Sequence, residues 1–123
     1  MKGKILVVED DPWSRRIVCD LLEMRGHQVL AAGGVSEGRV LLGERPDVVL
    51  LDIHIPGGGG ELLLREIRGD AALHKLPVIA FTASAMQGDR ERFLRLGFTS
   101  YLSKPIDVAS FGPAIEQHLA ESP

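Results

Sequence analysis

The chain has 123 residues, 45% of them hydrophobic and 25% charged, the size of one ordinary folded domain and unlike the apolar-poor composition of disordered chains. Its formal net charge of -3 provides no basic field for nucleic-acid phosphates or anionic lipid, so neither direct nucleic-acid binding nor membrane insertion is expected. A single cysteine, Cys19, excludes an intramolecular disulfide and a cysteine metal cluster, and suits a reducing cytoplasm.

Residues 4–8, Lys-Ile-Leu-Val-Val, read as a first strand, because the apolar run ends at three acids and is too short for a signal segment. A first helix is expected from Pro12, a favourable first-turn residue, with Ile17, Val18, Leu21 and Leu22 inward, Cys19 as a small core-facing residue and Gly26 as the stop. Residues 28–32 form a second strand. A second helix follows over about 35–44, with Val35, Val40, Leu41 and Leu42 inward, ending before Pro46. The third strand, 47–51, and the fourth, 77–81, are continuously apolar, as strands covered by helices on both faces are. Between them a third helix runs from about Gly60 to Arg68. A fourth helix spans about Ala85 to Leu96, with Gly97 as its cap. The fifth strand is 99–103 and the fifth helix runs from about Val108 to Leu119.

Five strands alternating with helices predict an α/β fold: a flavodoxin-like (βα)5 three-layer sandwich with a five-stranded parallel sheet, spanning residues 1–123 as one domain. In such open sheets, ligands bind beyond the carboxyl ends of the strands. There the first strand runs into Glu9-Asp10-Asp11, the third into Asp52, the fourth into Thr82 and the fifth into Lys104. Strand order 2-1-3-4-5 brings Glu9, Asp10 and Asp52 to one place. Three clustered carboxylates repel unless neutralised, and Mg2+ suits them because it takes one or two carboxylates, keeps waters and accepts phosphate oxygens. A carboxylate beside Mg2+ can attack phosphorus to give an aspartyl phosphate, whose oxygens a hydroxyl at Thr82 and an ammonium at Lys104 would hold.

These motifs, Ile-Leu-Val-Val-Glu-Asp-Asp at 5–11, Leu-Leu-Asp-Ile-His-Ile-Pro at 50–56, Phe-Thr-Ala-Ser-Ala at 81–85 and Tyr-Leu-Ser-Lys-Pro at 101–105, make the chain resemble response-regulator receiver domains over essentially its whole length. The resemblance implies that Asp52 is the phosphoacceptor, Asp10 a direct Mg2+ ligand, the backbone carbonyl of His54 a further ligand, and Glu9 an acid acting through water. It also implies that Thr82 and Lys104 follow the phosphoryl group, that the Tyr101 ring turns inward on activation, and that the Lys104-Pro105 bond is cis. The donor would be a sensor histidine kinase or a histidine phosphotransfer protein. The output would be a downstream protein contacted through the fourth helix, fifth strand and fifth helix. Such a domain is a switch rather than an enzyme, catalysing only its own phosphotransfer and slow autodephosphorylation. With only Ala120 to Pro123 after the fifth helix, no attached output domain is expected, and the chain looks most like single-domain regulators of the DivK type or receivers of hybrid histidine kinases.

Gly57-Gly58-Gly59-Gly60 departs from that pattern, because relatives usually have bulkier residues there and often an acid before the last glycine. Gly59, expected at the N-cap of the third helix, has no side chain to cap it, and the run is entropically costly to order. Asp11 is read simply as the acid leading into the first helix. Two rival classes are weaker. A haloacid-dehalogenase-like enzyme would carry its nucleophile on the first strand, where Glu9 stands, and would need a cap domain. A flavodoxin-like electron carrier would need aromatic rings to stack on a flavin, and the chain has one Trp and one Tyr.

Overall fold

A computed structural model describes residues 2–55, 59–83 and 89–119. The elements alternate as expected: β1 (Lys4–Val8), α1 (Pro12–Met24), β2 (Gln28–Ala32), α2 (Val35–Leu41), β3 (Val48–Asp52), α3 (Gly59–Gly69), β4 (Val78–Thr82), α4 (Asp89–Leu96), β5 (Ser100–Ser103) and α5 (Val108–Leu119). All pairings are parallel and the order is β2-β1-β3-β4-β5, with Val8 beside Leu51 and Asp52 beside Phe81. The strands β3 and β4 sit one residue later than the apolar runs suggest, whereas β5 starts one residue later and ends at Ser103 as expected. Asp52 and Thr82 are therefore the last residues of their strands, not the first of their loops.

Strand alternation divides the core in two. Leu6, Val8, Val49, Leu51, Val78 and Ala80 face α2, α3 and α4, where Leu63, Leu64, Ile67 and Phe93 pack on them. Ile5, Val7, Val48, Leu50, Ile79 and Phe81 face α1 and α5, against Val18, Leu22, Phe111 and Ile115. Both faces are covered, which is why the central strands carry apolar residues at every position.

Helix ends follow local chemistry. Asp11 caps α1: its Oδ2 accepts from the Ser14 N–H at 2.9 Å, and Pro12 occupies the first turn, where a missing N–H does no harm. Gly26 (φ 92°) and Gly97 (φ 113°) turn the chain out of α1 and α4 in the left-handed region open to glycine. α2 tightens into a 3-10 turn over Leu42–Glu44 before Pro46.

Two expected inward residues point outward. Ile17 is 45% exposed and Val40 is 75% exposed. In each case adjacent apolar residues compete for one helix face, and neighbours 100° apart cannot all reach it. Val18 and Leu22 bury from α1 while Leu21 and Cys19 are only partly covered; Leu42 buries from the end of α2, with Val35 and Leu41 at its margin. The expected start of the fourth helix at Ala85, the loop residues Gly57 and Gly58, and the tail from Ala120 lie outside the described residues. No helix among the described residues is long and apolar enough to cross a membrane.

Candidate functional site

The fold brings the carboxyl ends of β1 and β3 side by side, and with them Glu9, Asp10 and Asp52. One carboxylate oxygen from each lies within 4.8 Å of the others. The three are not equivalent. Glu9 and Asp52 are 1% and 3% exposed, whereas Asp10 stands in solvent. Lys104, delivered from the end of β5, supplies the nearest cation: Nζ donates to Glu9 Oε1 and Oε2, each at 3.1 Å, and to Asp52 Oδ2 at 3.5 Å. The ammonium also rests 4.9 Å from the Phe81 ring centroid, a cation–π contact that holds it in a partly dry position.

Asp52 Oδ1 accepts from the His54 backbone N–H at 2.9 Å, which fixes the rotamer and leaves Oδ2 toward Lys104. Burial is the first cause that raises the Glu9 carboxyl from its ordinary value to about 7. The hydrogen bond and charge of Asp52 push the same way, and Lys104 opposes them. Burial and the neighbouring Asp52 thus oppose ionisation of Glu9. Asp11, fully exposed, is held below the usual carboxylate range by its cap bond with Ser14.

Thr82 closes β4 with its side chain fully buried, and its Oγ1 lies 3.3 Å from His54 Nε2. Its carbonyl accepts from the Lys104 N–H at 2.8 Å, so the hydroxyl and the ammonium are carried by directly paired backbone. The Lys104-Pro105 bond is cis. Tyr101 is half-buried on β5, its ring 5.7 Å from that of Phe93 on α4. All the expected site residues therefore sit at one end of the sheet, except Tyr101, which lies three residues back along β5.

Three features escaped the sequence reading. Arg15 Nη1 donates to the Glu9 carbonyl at 2.9 Å, tying α1 to the acidic loop; an arginine in a first helical turn, whose side chain points back toward the N-terminus, is the signal for this. Phe81 forms the floor under Lys104. Gly60, in the first turn of α3, passes so close to β3 that an added Cβ would lie 2.8 Å from the Asp52 carbonyl oxygen and 3.0 Å from the Ile53 Cα. One of the four glycines is thus fixed by contact with the backbone of the site itself. Gly59 is the first residue of α3 rather than its N-cap.

Chemically, oxygen donors of high charge density with one lysine beside them fit a small hard cation and a phosphoryl group. The sequence profile of the response regulator receiver domain matches residues 5–116. The chain belongs to this family. It is 35% identical to the polar-differentiation response regulator DivK of Brucella anthropi, over 99% of this chain and 100% of that protein. Among solved structures it is similar to the receiver domain of a sensor histidine kinase from Pseudomonas aeruginosa, a structure with a magnesium ion coordinated in its active-site cleft: 31% identity, TM-score 0.85, covering 98% of this chain and 99% of that one. A Francisella response regulator receiver domain shares the fold at TM-score 0.88 and 23% identity, covering 98% and 99% of the two chains. As a two-component receiver domain, the chain is a phosphorylation-dependent signalling protein. The dehalogenase and flavin-carrier readings fall with that assignment.

Proposed function

We propose that Asp52 accepts a phosphoryl group from a phosphohistidine on a sensor histidine kinase or histidine phosphotransfer protein. The observation that carries this reading is the convergence of the Glu9, Asp10 and Asp52 oxygens within 4.8 Å, beside the Lys104 ammonium. Asp10, Asp52 and the backbone carbonyl of His54 would hold Mg2+, with Glu9 acting through water; the bound ion supplies charge neutralisation at the phosphoryl oxygens. An Asp52 oxygen forms the O–P bond while the donor's N–P bond breaks and its electron pair stays on the imidazole. Lys104 then pairs with one phosphoryl oxygen and the Thr82 hydroxyl donates to another. Slow return of the phosphoryl group to water resets the switch, and no other reaction is assigned to the chain.

A donor's phosphorus must reach Asp52, so its body must cover the pocket's margin. There α1 presents Trp13, 76% exposed, and Ile17 beside it, an apolar ridge one turn long that would lie under the donor. Output runs through the α4-β5-α5 face to a downstream protein, with residues 1–123 acting as one cytoplasmic receiver unit.

The test is incubation with acetyl phosphate and Mg2+, borohydride trapping and mass spectrometry. One phosphoryl group on Asp52, absent from Asp52→Ala and from metal-free samples, is the expected result. Undiminished phosphorylation of Asp52→Ala would remove the reading.

A further inference from the structure

At the opposite end of the sheet, below the start of β3, the segment joining α2 to β3 and the segment joining α3 to β4 stand apart and enclose an open cleft of about 710 Å3, within the range of small-molecule sites. None of the signalling residues lines it. Its floor is apolar: Leu42 is buried, and Leu73 and Leu76 pack against the core at its edge. Its rim is mixed, with Arg39, Arg45 and Lys75 against Glu66 and Asp70, an excess of one positive charge. Arg39 on one wall is matched by Glu66, with Nε and Nη2 each 2.7 Å from a carboxylate oxygen. Asp70 keeps its negative charge, but its Oδ1 accepts from the Ala72 N–H at 2.7 Å, which turns that oxygen toward the backbone. His74 Nδ1 is engaged by the Ala71 carbonyl at 3.0 Å. That leaves Arg45 and Lys75, both exposed, and neither has an ion-pair partner among the described residues.

Arg45 carries a second peculiarity. It is the one non-glycine with positive φ among the described residues, at φ 57° and ψ 63°. An L-residue with a long side chain is disfavoured in that left-handed conformation, which glycine adopts freely. The backbone at this turn, where the Arg45 N–H donates to the Leu42 carbonyl at 3.1 Å, would be served better by glycine. A strained residue that also places an unpaired guanidinium on a cleft points to a function for the side chain.

We propose that this cleft is a second binding site, for a small organic anion: a flat aromatic or acyl body seated on Leu42, Leu73 and Leu76, with its acidic group held between Arg45 and Lys75. The apolar floor gives affinity and the two unpaired cations select the charge. The site is separate from the phosphorylation pocket, divided from it by the length of β3, roughly 13 Å for four residue steps.

The test is a backbone-amide NMR titration of the whole chain with three probes: 8-anilinonaphthalene-1-sulfonate, the uncharged N-phenyl-1-naphthylamine, and inorganic sulfate. The sulfonated probe should saturate shifts confined to residues 39–46 and 70–76, and should bind about tenfold more tightly than either of the others. Arg45→Gly and Lys75→Glu should each weaken it about fivefold or more. Arg45→Gly should melt no lower than wild type, because glycine relieves the backbone, so a loss of binding there reads the side chain and not the fold. Equal binding of the uncharged probe would reduce the cleft to a greasy groove and overturn the proposal. Equal binding of sulfate would overturn it too, by removing the role of the floor. So would shifts centred on Trp13 and Ile17, or wild-type affinity in both variants.

Discussion

Lys104 is bonded more closely to Glu9 than to Asp52: Nζ lies 3.1 Å from both Glu9 oxygens but 3.5 Å from Asp52 Oδ2. The lysine therefore serves as the counter-cation of the buried acid, and must trade part of that pairing when a phosphoryl group arrives. It also competes with a metal for the same negative potential. Lys104→Ala should bind Mg2+ more tightly than wild type, by about 1 kcal/mol or roughly fivefold at the low effective field of a partly solvated site. Titration calorimetry measures this directly. Weaker binding in the variant would show that the lysine organises the carboxylates rather than opposing the ion.

Glu9 and Asp10 should separate by role. Asp10 is exposed with no hydrogen-bond partner among the described residues, whereas Glu9 is buried and held by Lys104. Asp10→Ala should therefore lose at least about tenfold in Mg2+ affinity, and Glu9→Gln distinctly less. Proton competition adds a pH signature. With its carboxyl raised to about 7, Glu9 is mostly protonated at pH 6 and mostly ionised at pH 8, so Mg2+ should bind more weakly at the lower pH, by up to about tenfold. Glu9→Gln should flatten that dependence. Trp13, just beyond the pocket, offers a fluorescence readout. Identical pH profiles for wild type and Glu9→Gln would refute the assignment.

A separate ion-pair cluster anchors α5. Arg25 Nε and Nη2 each lie 2.6 Å from an oxygen of Glu116, and His27 Nε2 lies 2.7 Å from Oε2 while its Nδ1 accepts from the Gly3 N–H at 3.1 Å. Because Nδ1 accepts, Nε2 carries the hydrogen and donates to Glu116. Arg25 first, and His27 after it, hold the Glu116 carboxyl down at about 2, against partial burial. The unfolded chain takes up this proton near the ordinary value of about 4.5. The stabilisation is thus fully present above that pH and is lost as pH falls toward 2. After allowance for solvent screening, Glu116→Gln should cost about 1–2 kcal/mol at pH 7 and much less at pH 3. Urea denaturation of both proteins at the two pH values checks this, and a difference independent of pH would disprove it.

Gly60 and Gly59 should respond differently to a methyl group. At Gly60 the new Cβ meets the backbone of Asp52 and Ile53, which cannot yield, whereas at Gly59 it meets the side chains of Val35 and Ile55. Gly60→Ala should destabilise by about 2–3 kcal/mol despite alanine's better helix propensity. Gly59→Ala should cost less, because Val35 can change rotamer. Thermal melts of the two variants give the order, and the reverse order would place the tight contact elsewhere.

The strand ends were legible because the apolar runs of β1, β3 and β4 stop abruptly at polar residues, and parallel topology then gathers those residues at one edge. Glu9, Asp10, Asp52 and Thr82 follow from that rule, and Lys104 from its place just after the mixed fifth strand. Which of two adjacent apolar residues turns inward did not follow: Ile17 and Val18 are equivalent to a periodicity count, and only the sheet selects Val18. The glycine run was legible as an entropic cost but not as a steric need, because the atoms that require Gly60 belong to β3. Nor could sequence show that Lys104 favours Glu9, since that depends on the distance between two long side chains.

The switch itself should be visible on the α4-β5-α5 face. Thr82 Oγ1 faces His54, and the backbone of Thr82 is bonded to that of Lys104 at 2.8 Å. A phosphoryl group adds about one negative charge to an already ionised carboxylate and should draw both side chains inward. Movement of Thr82 frees volume beside β5. Tyr101, half-buried against the fully packed Phe93 of α4, is placed to enter it and to carry the displacement to α4. Turning a population from almost wholly inactive to almost wholly active requires about 5.5 kcal/mol of differential stabilisation; two charge-assisted bonds in a partly buried site supply about 3–6 kcal/mol, enough for a large though incomplete shift. Backbone-amide NMR should compare the metal-free protein with its Mg2+ and beryllofluoride complex, beryllofluoride standing in for the phosphoryl group. Shifts should extend from the pocket through residues 89–119, and Tyr101→Ala should confine them to the pocket. If residues 89–119 stay unmoved in the wild-type complex, this face is not the output, and the loop at 57–60 becomes the better candidate.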